Sequence, residues 1–389
     1  MYTGAEGVLA TAVANQIATV PGLWLHLRGL NRAIRRAADA AVSKVVLQVK
    51  DGAETPDVAR LVRGCACVEE LTVVDERTDG DPVPLEVLSD GARARPSLKV
   101  LAWKGRTGSL APLSGLMSLK HLTLECASVV DIGPLAGLRS LEKVRLAACG
   151  MSSLVPLSGM CALACLTLDR CTNLASLELV GDLPALTHLV VSSSGSMKHD
   201  AVPTPLGRLP PSLVHLTILQ SKSLARDVVS LSAVSSLRTL SVRGSHIEGV
   251  HLLINLRVLD VSQESYPYTS VRTERLSALT KLRALDLSGV IVRGDFAALG
   301  RLRDLVALTV DVAEDGQRLD SLHGCTSLAK LYLCVKGTVT APLLDVLQPL
   351  RGIPSLRLLS VRYCRMDARY AAGVRDIVGP GCKVLFPYT

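Results

Sequence analysis

The amino-acid sequence predicts an α/β solenoid, a fold in which short strand-and-turn units stack on one another along a parallel sheet. The first observation is an aliphatic pattern, apolar-x-x-apolar-x-apolar, that recurs along almost the whole chain. The second is composition: 48% of the 389 residues are hydrophobic, but only 2 Trp, 2 Phe and 7 Tyr are aromatic. One such unit cannot bury its own apolar face, so neighbours must stack. We therefore expect narrow aliphatic side chains at these positions and no aromatic rings.

The repeated units define the body of the chain. The clearest copies are Leu119-Leu122-Leu124, Leu163-Leu166-Leu168, Leu282-Leu285-Leu287 and Leu328-Leu331-Leu333. With Val or Ile allowed, copies begin at residues 42, 68, 98, 119, 141, 163, 186, 213, 237, 256, 282, 305, 328 and 356, with a degenerate copy at Cys382. Below, repeat positions are counted from the first apolar residue of each copy.

Two further features recur inside the central units. The ninth position is cysteine at Cys149, Cys171 and Cys364, where a small polar group can bond the backbone as the chain leaves the strand. An x-Pro-Leu-x-x-Leu segment follows, which predicts a short helical turn on the outer side; its prolines are Pro112, Pro134 and Pro156. On these features, residues 42 to 389 resemble the leucine-rich repeat family, in its 22-residue and cysteine-containing types. The spacing between copies is close to the 20 to 29 residues that are typical of such repeats. The resemblance implies a curved sheet with strands on the concave face and short helical turns on the convex face.

The two ends of the chain depart from the repeat. Residues 1–41 predict two helices, at about 5–19 and 22–40, which form an N-terminal cap over the first strand. The run from Trp24 to Asp39 also resembles the second half of an F-box, which would dock a ubiquitin-ligase core. Residues 42–379 form the repeats, and residues 380–389 a C-terminal edge cap in which Pro387 stops a closing strand.

Partner contacts are predicted on the concave face, where positions three, five and seven point outward. Small and β-branched residues dominate the fifth position, which makes a flat floor suited to a protein partner and not to a small molecule. Charge separates along this floor, with basic residues toward the N-terminal half and acids toward the C-terminal half. The candidate contact residues are His121, Lys143, Arg145, His188, His215, Asp260, Asp286, Asp311 and Tyr332. Tyr266, Tyr268 and Arg272, in a polar insertion at 262–277, are candidate anchors in a loop.

Metal and catalytic chemistry are not expected. Cys165, His188 and His215 fall at the third position of successive copies, but parallel side chains in a ladder do not converge on one ion. The chain has no nucleophile paired with a base and no phosphate-binding or metalloprotease motif. We therefore expect a non-catalytic protein without a cofactor.

Charge and cysteine content bound the setting. The net charge of +8 is scattered, so nucleic-acid binding is permitted without being indicated. The 11 cysteines are odd in number and several lie in apolar strands, which favours a reducing, intracellular compartment: most simply the cytoplasm, with the mitochondrion and the nucleus as alternatives. Polar residues and Pro21 interrupt the uncharged stretch at 7–25, so no membrane span is predicted. Three functions follow: a protein-interaction scaffold within a larger complex, an adaptor for a ubiquitin ligase, and a structural subunit of a ribonucleoprotein.

Overall fold

The computed structural model of the chain contains stacked parallel strands joined by short helical turns. It describes residues 43–49, 68–76, 85–88, 97–107, 109–171, 173–174, 177–192, 209–219, 234–243, 250–263, 270–293, 296–312, 319–335, 343–362 and 368–386. The chain divides into two compact units, one of residues 1–186 and the other of essentially all that follow. Each unit is described by itself.

The first unit is built on a parallel ladder of strands. Among its described residues these are β1 to β6, at Lys44–Val49, Glu70–Asp75, Val100–Lys104, His121–Glu125, Lys143–Ala147 and Cys165–Asp169. Each strand from β1 to β5 pairs with the next along the chain. Its described residues also form the 3-10 helices Leu85–Leu88, Ala111–Gly115, Gly133–Gly137, Val155–Leu157 and Glu178–Asp182.

The second unit repeats the arrangement. The described strands of its main ladder are β7 to β10 at His188–Ser192, His215–Leu219, Thr239–Arg243 and Val258–Asp260, β12 at Ala284–Leu287, and β14 to β17 at Ala307–Val312, Lys330–Val335, Leu358–Arg362 and Lys383–Leu385. A separate parallel pair joins β11, Ser270–Arg272, to β13, Ile291–Arg293. The described α-helices are α1 at Thr273–Leu276, α2 at Leu343–Leu347 and α3 at Ala368–Val378. The described 3-10 helices are Val250–Leu252, Phe296–Arg301, Leu319–Gly324 and Gln348–Gly352.

The repeat pattern explains the core of each unit. The three apolar positions are buried in copy after copy, as at Leu282, Leu285 and Leu287, each 2% exposed or less. On the outer side, the leucine after each proline, such as Leu113 or Leu135, also enters the core. Each of these side chains contributes about 1.5–3 kcal/mol by leaving water. The predicted helical turns at the three prolines are confirmed.

The buried cysteines bond the backbone where the chain leaves a strand, as the sequence predicted. The Cys149 thiol lies 3.4 Å from the carbonyl oxygen of Ala147, and the Cys171 thiol lies 3.4 Å from that of Leu146. Cys364 lies outside the described residues.

The exclusion of rings from the core was wrong. Trp103 takes the third apolar position of its copy and is fully buried. Its rung neighbours are Val73 and Leu124, of which valine is the smaller side chain. The repeat therefore tolerates an aromatic side chain where an adjacent rung carries a smaller one.

Backbone conformation at the eighth repeat position also recurs. Gly105 and Gly289 have positive φ there, at 134° and 76°, but so do Ala148 and Arg170, at 53° and 54°. This position turns the chain out of the strand in a conformation that favours glycine. Two copies thus accept a side chain at a strained site.

At the C-terminal end, β17 pairs in parallel with β16, so the predicted closing strand is confirmed. Helix α3 packs against α2 and the adjacent 3-10 helix, and it buries Val374 and Ile377. Pro387 lies outside the described residues, as do residues 1–42 with the predicted cap and F-box-like run. None of the described helices is long and apolar enough to cross a membrane.

Candidate partner-binding faces

Strand geometry determines which side chains face outward in each unit. Successive residues of a strand point to opposite faces, so positions three, five and seven lie opposite the core. Strand β4 shows the alternation: Leu122 and Leu124 are buried, whereas His121, Thr123 and Glu125 are partly exposed. We call the outward side of each ladder the open face of that unit.

The fifth position forms an unbroken row on each open face. In the first unit the paired residues are Val46, Thr72, Ala102, Thr123, Arg145 and Thr167. In the second unit they are Val190, Thr217, Ser241, Asp260, Asp286, Thr309, Tyr332 and Ser360. The register is therefore the one that the sequence predicted.

On the first unit, Arg145 lies in a network of ion pairs. Its guanidinium contacts the Asp169 carboxylate at 2.9 Å, and Arg170 reaches Glu125 at 3.2 Å. His121 is half-exposed and Lys143 is exposed on the same face. The basic patch expected here is thus partly neutralised by acids on neighbouring strands, which the sequence interpretation did not include.

On the second unit, Asp260 is held by several donors. Arg243 donates from Nε and Nη2 at 3.1 and 3.0 Å, and the Ser241 hydroxyl and the Ser262 amide donate at 3.0 Å each. Burial raises the pKa of this carboxyl, but hydrogen bonds from Ser262, Arg243 and Ser241 outweigh it and hold the pKa below its ordinary value. Asp260 is therefore ionised and already well partnered at neutral pH.

The other two predicted acids behave differently from each other. Asp286 is half-exposed and accepts bonds from the amide and hydroxyl of Ser288, at 2.9 and 2.7 Å. Asp311 is only 9% exposed, and its carboxylate accepts a bond from the Gly289 amide at 2.9 Å. The placement of Asp311 on the exposed surface was wrong, because its carboxylate caps the turn after a neighbouring strand.

The two predicted histidines stack on each other. The rings of His188 and His215 lie 4.2 Å apart between centroids with an angle of 19° between planes. The Thr187 hydroxyl lies 2.8 Å from Nδ1 of His188. Cys165 belongs to the first unit. In the part of the chain that the structure describes, no three His, Cys, Asp or Glu residues are grouped as a metal site would require.

Tyr332 and the loop residues complete the predicted set. Tyr332 is half-exposed, and the guanidinium carbon of Arg362 lies 5.9 Å from its ring centre. Arg272 is exposed at the end of β11, and the described residues 270–276 of the predicted polar loop form β11 and α1. Tyr266 and Tyr268 lie outside the described residues. The role of all these residues in binding stays a prediction.

The sequence interpretation missed the second repeat position, which lies at the start of each strand. In the first unit this position carries two adjacent lysines flanked by glutamates, and ion pairs join Lys99 to Glu69 and Lys120 to Glu142. In the second unit it carries a run of arginines. A comparison of the same position in consecutive copies would have revealed both rows.

Parallel one-strand repeats with buried leucines and short outer helices define a class of protein, the α/β solenoids. Within that class, the chain has the fold of the leucine-rich repeat proteins. The Leptospira interrogans LRR protein LIC12759 superposes with a TM-score of 0.54 at 15% identity, over 91% of this chain and 98% of that one. The crystal structure of PEPR1–AtPEP1 superposes with a TM-score of 0.51 at 16% identity, over 82% of this chain and 45% of that one. Sequence comparison gives no match to a protein-family model or to a curated protein.

Proposed function

We propose that this protein is a non-catalytic interaction module, a subunit of a larger intracellular complex, that binds a protein partner on its open faces. The carrying observation is the fifth-position row of the second unit, in which small, polar and acidic side chains stand in register on successive strands. Such a row offers a partner many contacts at the fixed spacing of the strands. It suits a broad protein surface better than a small molecule, which binds in a concave pocket.

The free thiols support the intracellular setting. Each cysteine that the structure describes is unpaired, and most are buried in the core. Buried thiols behave as small apolar side chains, which is the usage expected where disulfides do not form.

The proposal is tested by placing bulk on the open face. In the variant Thr217→Arg/Thr309→Arg, two half-exposed side chains of the fifth-position row become long and charged, while the core positions are untouched. Ala297→Arg/Gln348→Arg, at two exposed positions on outer 3-10 helices, is the matched control. Each tagged protein is purified from cells that naturally produce it, and the co-purifying proteins are quantified by mass spectrometry.

We expect the open-face variant to lose a defined set of partners that the wild type and the control both retain. Thermal unfolding of the three proteins should be alike, since all the substitutions point to solvent. If the open-face variant keeps every partner and the outer-helix control loses them, binding occurs on the outer side and the proposal fails.

The ubiquitin-ligase adaptor stays a prediction, because residues 1–41 lie outside the described residues. Deletion of 1–41 separates it from the capping role. An adaptor segment should leave the repeats soluble and remove a ligase subunit from the purified complex. A cap should instead make the repeats aggregate when it is removed.

A further inference from the structure

The second unit presents a row of arginines at the start of its strands, at the second repeat position. Arg238, Arg257 and Arg283 occupy this position in three consecutive copies, and we call them the arginine edge. The Arg257 amide donates to the Arg238 carbonyl at 2.8 Å, and the Arg283 amide to the Arg257 carbonyl at 2.7 Å. The three residues are therefore adjacent rungs, spaced at about 4.8 Å.

Among the described residues, the positive charges of the arginine edge lack the paired carboxylates that the lysines at the same repeat position have in the first unit. Within the described part of the chain, no carboxylate forms an ion pair with Arg257 or Arg283, and both are exposed. Asp304, in the turn before the next strand, is exposed and pairs with neither. Arg238 differs from its neighbours, because its guanidinium donates to the carbonyls of Ser235 and Leu237 at 3.1 and 3.3 Å.

Like charges at this spacing repel one another, since the spacing is below the screening length of about 8 Å at physiological salt. In the first unit the two lysines on adjacent rungs at the same position are each neutralised by a flanking glutamate, Lys99 by Glu69 and Lys120 by Glu142. Lys281, two residues before Arg283, adds a further positive charge, and its ammonium group donates to the amide oxygen of Asn255, at 2.8 Å. An anionic partner would relieve this repulsion.

The surroundings of the arginine edge indicate what kind of anion fits. The next residue of the row is Val306, which is 38% exposed, so the basic rungs lead to an apolar one. Beside the row, the third-position side chains Thr239, Val258 and Ala284 are small and half-exposed. A partner backbone can therefore approach closely.

We propose that the arginine edge binds the acidic face of an α-helix from a protein partner. Helix residues at i, i+3, i+7 and i+10 advance about 4.5, 10.5 and 15 Å. The rungs from Arg238 to Val306 advance about 4.8, 9.6 and 14.4 Å. An extended peptide, whose same-face residues are about 6.8 Å apart, falls out of step after two rungs.

Single-stranded nucleic acid fits less well, because the proteins that bind it stack its bases on aromatic side chains. On the described part of the second unit's open face, Tyr332 already has Arg362 beside it, and the rings of His188 and His215 are stacked on each other. Carboxylates, by contrast, match the forked guanidinium directly. The helix is thus the better partner for these residues.

This inference rests on the proposed interaction function and names the partner's chemistry. Its test uses the purified full chain and a fluorescein-labelled, alanine-rich helical peptide with Glu at i, i+3 and i+7 and Leu at i+10. A second peptide replaces each Glu with Gln, and a single-stranded RNA of equal charge is the third probe. Fluorescence anisotropy gives the affinities at low and physiological salt.

The key variant is Arg257→Gln/Arg283→Gln, and the control is Lys99→Gln/Lys120→Gln. Both remove two positive charges, but the lysines are paired with glutamates in the first unit. We expect the Glu peptide to bind wild type, the arginine variant to weaken it about tenfold per residue, and the lysine variant to leave it unchanged. The Gln peptide should bind much more weakly.

Three results would overturn the inference: equal binding of the Glu and Gln peptides, equal losses in the two double variants, or tighter binding of RNA that depends on the same arginines. Failure here is distinct from failure of the proposed function. If Thr217→Arg/Thr309→Arg still releases the cellular partners while the arginine variant retains them, the open face binds but the arginine edge does not take part.

Discussion

The left-handed eighth position of the repeat gives a paired prediction with opposite signs. Ala148 and Gly289 take this position in the first and second units, with φ of 53° and 76°. We expect Ala148→Gly to stabilise the protein and Gly289→Ala to destabilise it. The two substitutions change the same methyl group at equivalent sites.

The magnitudes follow from the backbone and its neighbours. A non-glycine residue in the left-handed region costs about 1–2 kcal/mol, and glycine costs roughly 0.5–1 kcal/mol in chain entropy, so Ala148→Gly should gain about 0.5–1 kcal/mol. At Gly289 a Cβ would also collide with the carbonyl oxygen of Gln263, whose amide is bonded to Ser288 at 2.8 Å. The backbone there must shift, so we expect a loss of about 2–4 kcal/mol.

Differential scanning calorimetry measures both effects. For a unit of this size, about 1 kcal/mol moves the melting temperature by roughly 2–4 °C. Ala148→Gly should therefore raise it by about 1–4 °C, and Gly289→Ala should lower it by about 4 °C or more. A neutral or lower melting temperature for Ala148→Gly would refute the argument, since it would mean that the site carries no backbone strain.

Two further predictions concern ionisable groups. Burial raises the pKa of Cys126 and of Cys334 to about 11 each, whereas Cys161 is exposed. Iodoacetamide at pH 8 should therefore label Cys161 in the native protein and reach the other two only after unfolding. Mass spectrometry of the peptides checks this, and equal labelling of the three cysteines would contradict it. Asp260→Asn should lower the free energy of unfolding at pH 7 by roughly 1–3 kcal/mol, because bonds to the carboxylate are lost. Because the pKa of Asp260 is depressed in the folded state, its carboxylate stabilises the protein at pH values above the unfolded pKa. The difference in free energy of unfolding between wild type and Asp260→Asn should therefore shrink as the pH falls. Urea titrations that show the same difference at every pH would disprove the role of the ionised carboxylate.

The strand ladder could be predicted from sequence because every copy must bury the same three apolar side chains. A unit with Leu282, Leu285 and Leu287 at fixed spacing can bury them only against a neighbour with the same spacing, so the pattern determines register as well as strand position. The row from Val190 to Ser360 was placed correctly for this reason.

The exceptions arose where packing depends on two copies at once. The position of Trp103 looks unsuitable for a ring when its own copy is considered, but its partner on the adjacent rung is the smaller Val73. Likewise, Ala148 at the left-handed position is indistinguishable from a strand alanine until the backbone is seen. A single-copy pattern does not contain either piece of information.

Charged residues follow the same logic, and they decide which parts of the open faces are available to a partner. Arg145 and Arg257 were equally able to face solvent by position, but Arg145 meets Asp169 on the next strand, and the neighbours of Arg257 are arginines. A surface ion pair adds little stability, yet it occupies the donors that a partner would use. An unpaired row repels itself and gains most from an incoming anion. In a repeat protein, therefore, the difference between adjacent copies carries more functional information than the residue type at any one position.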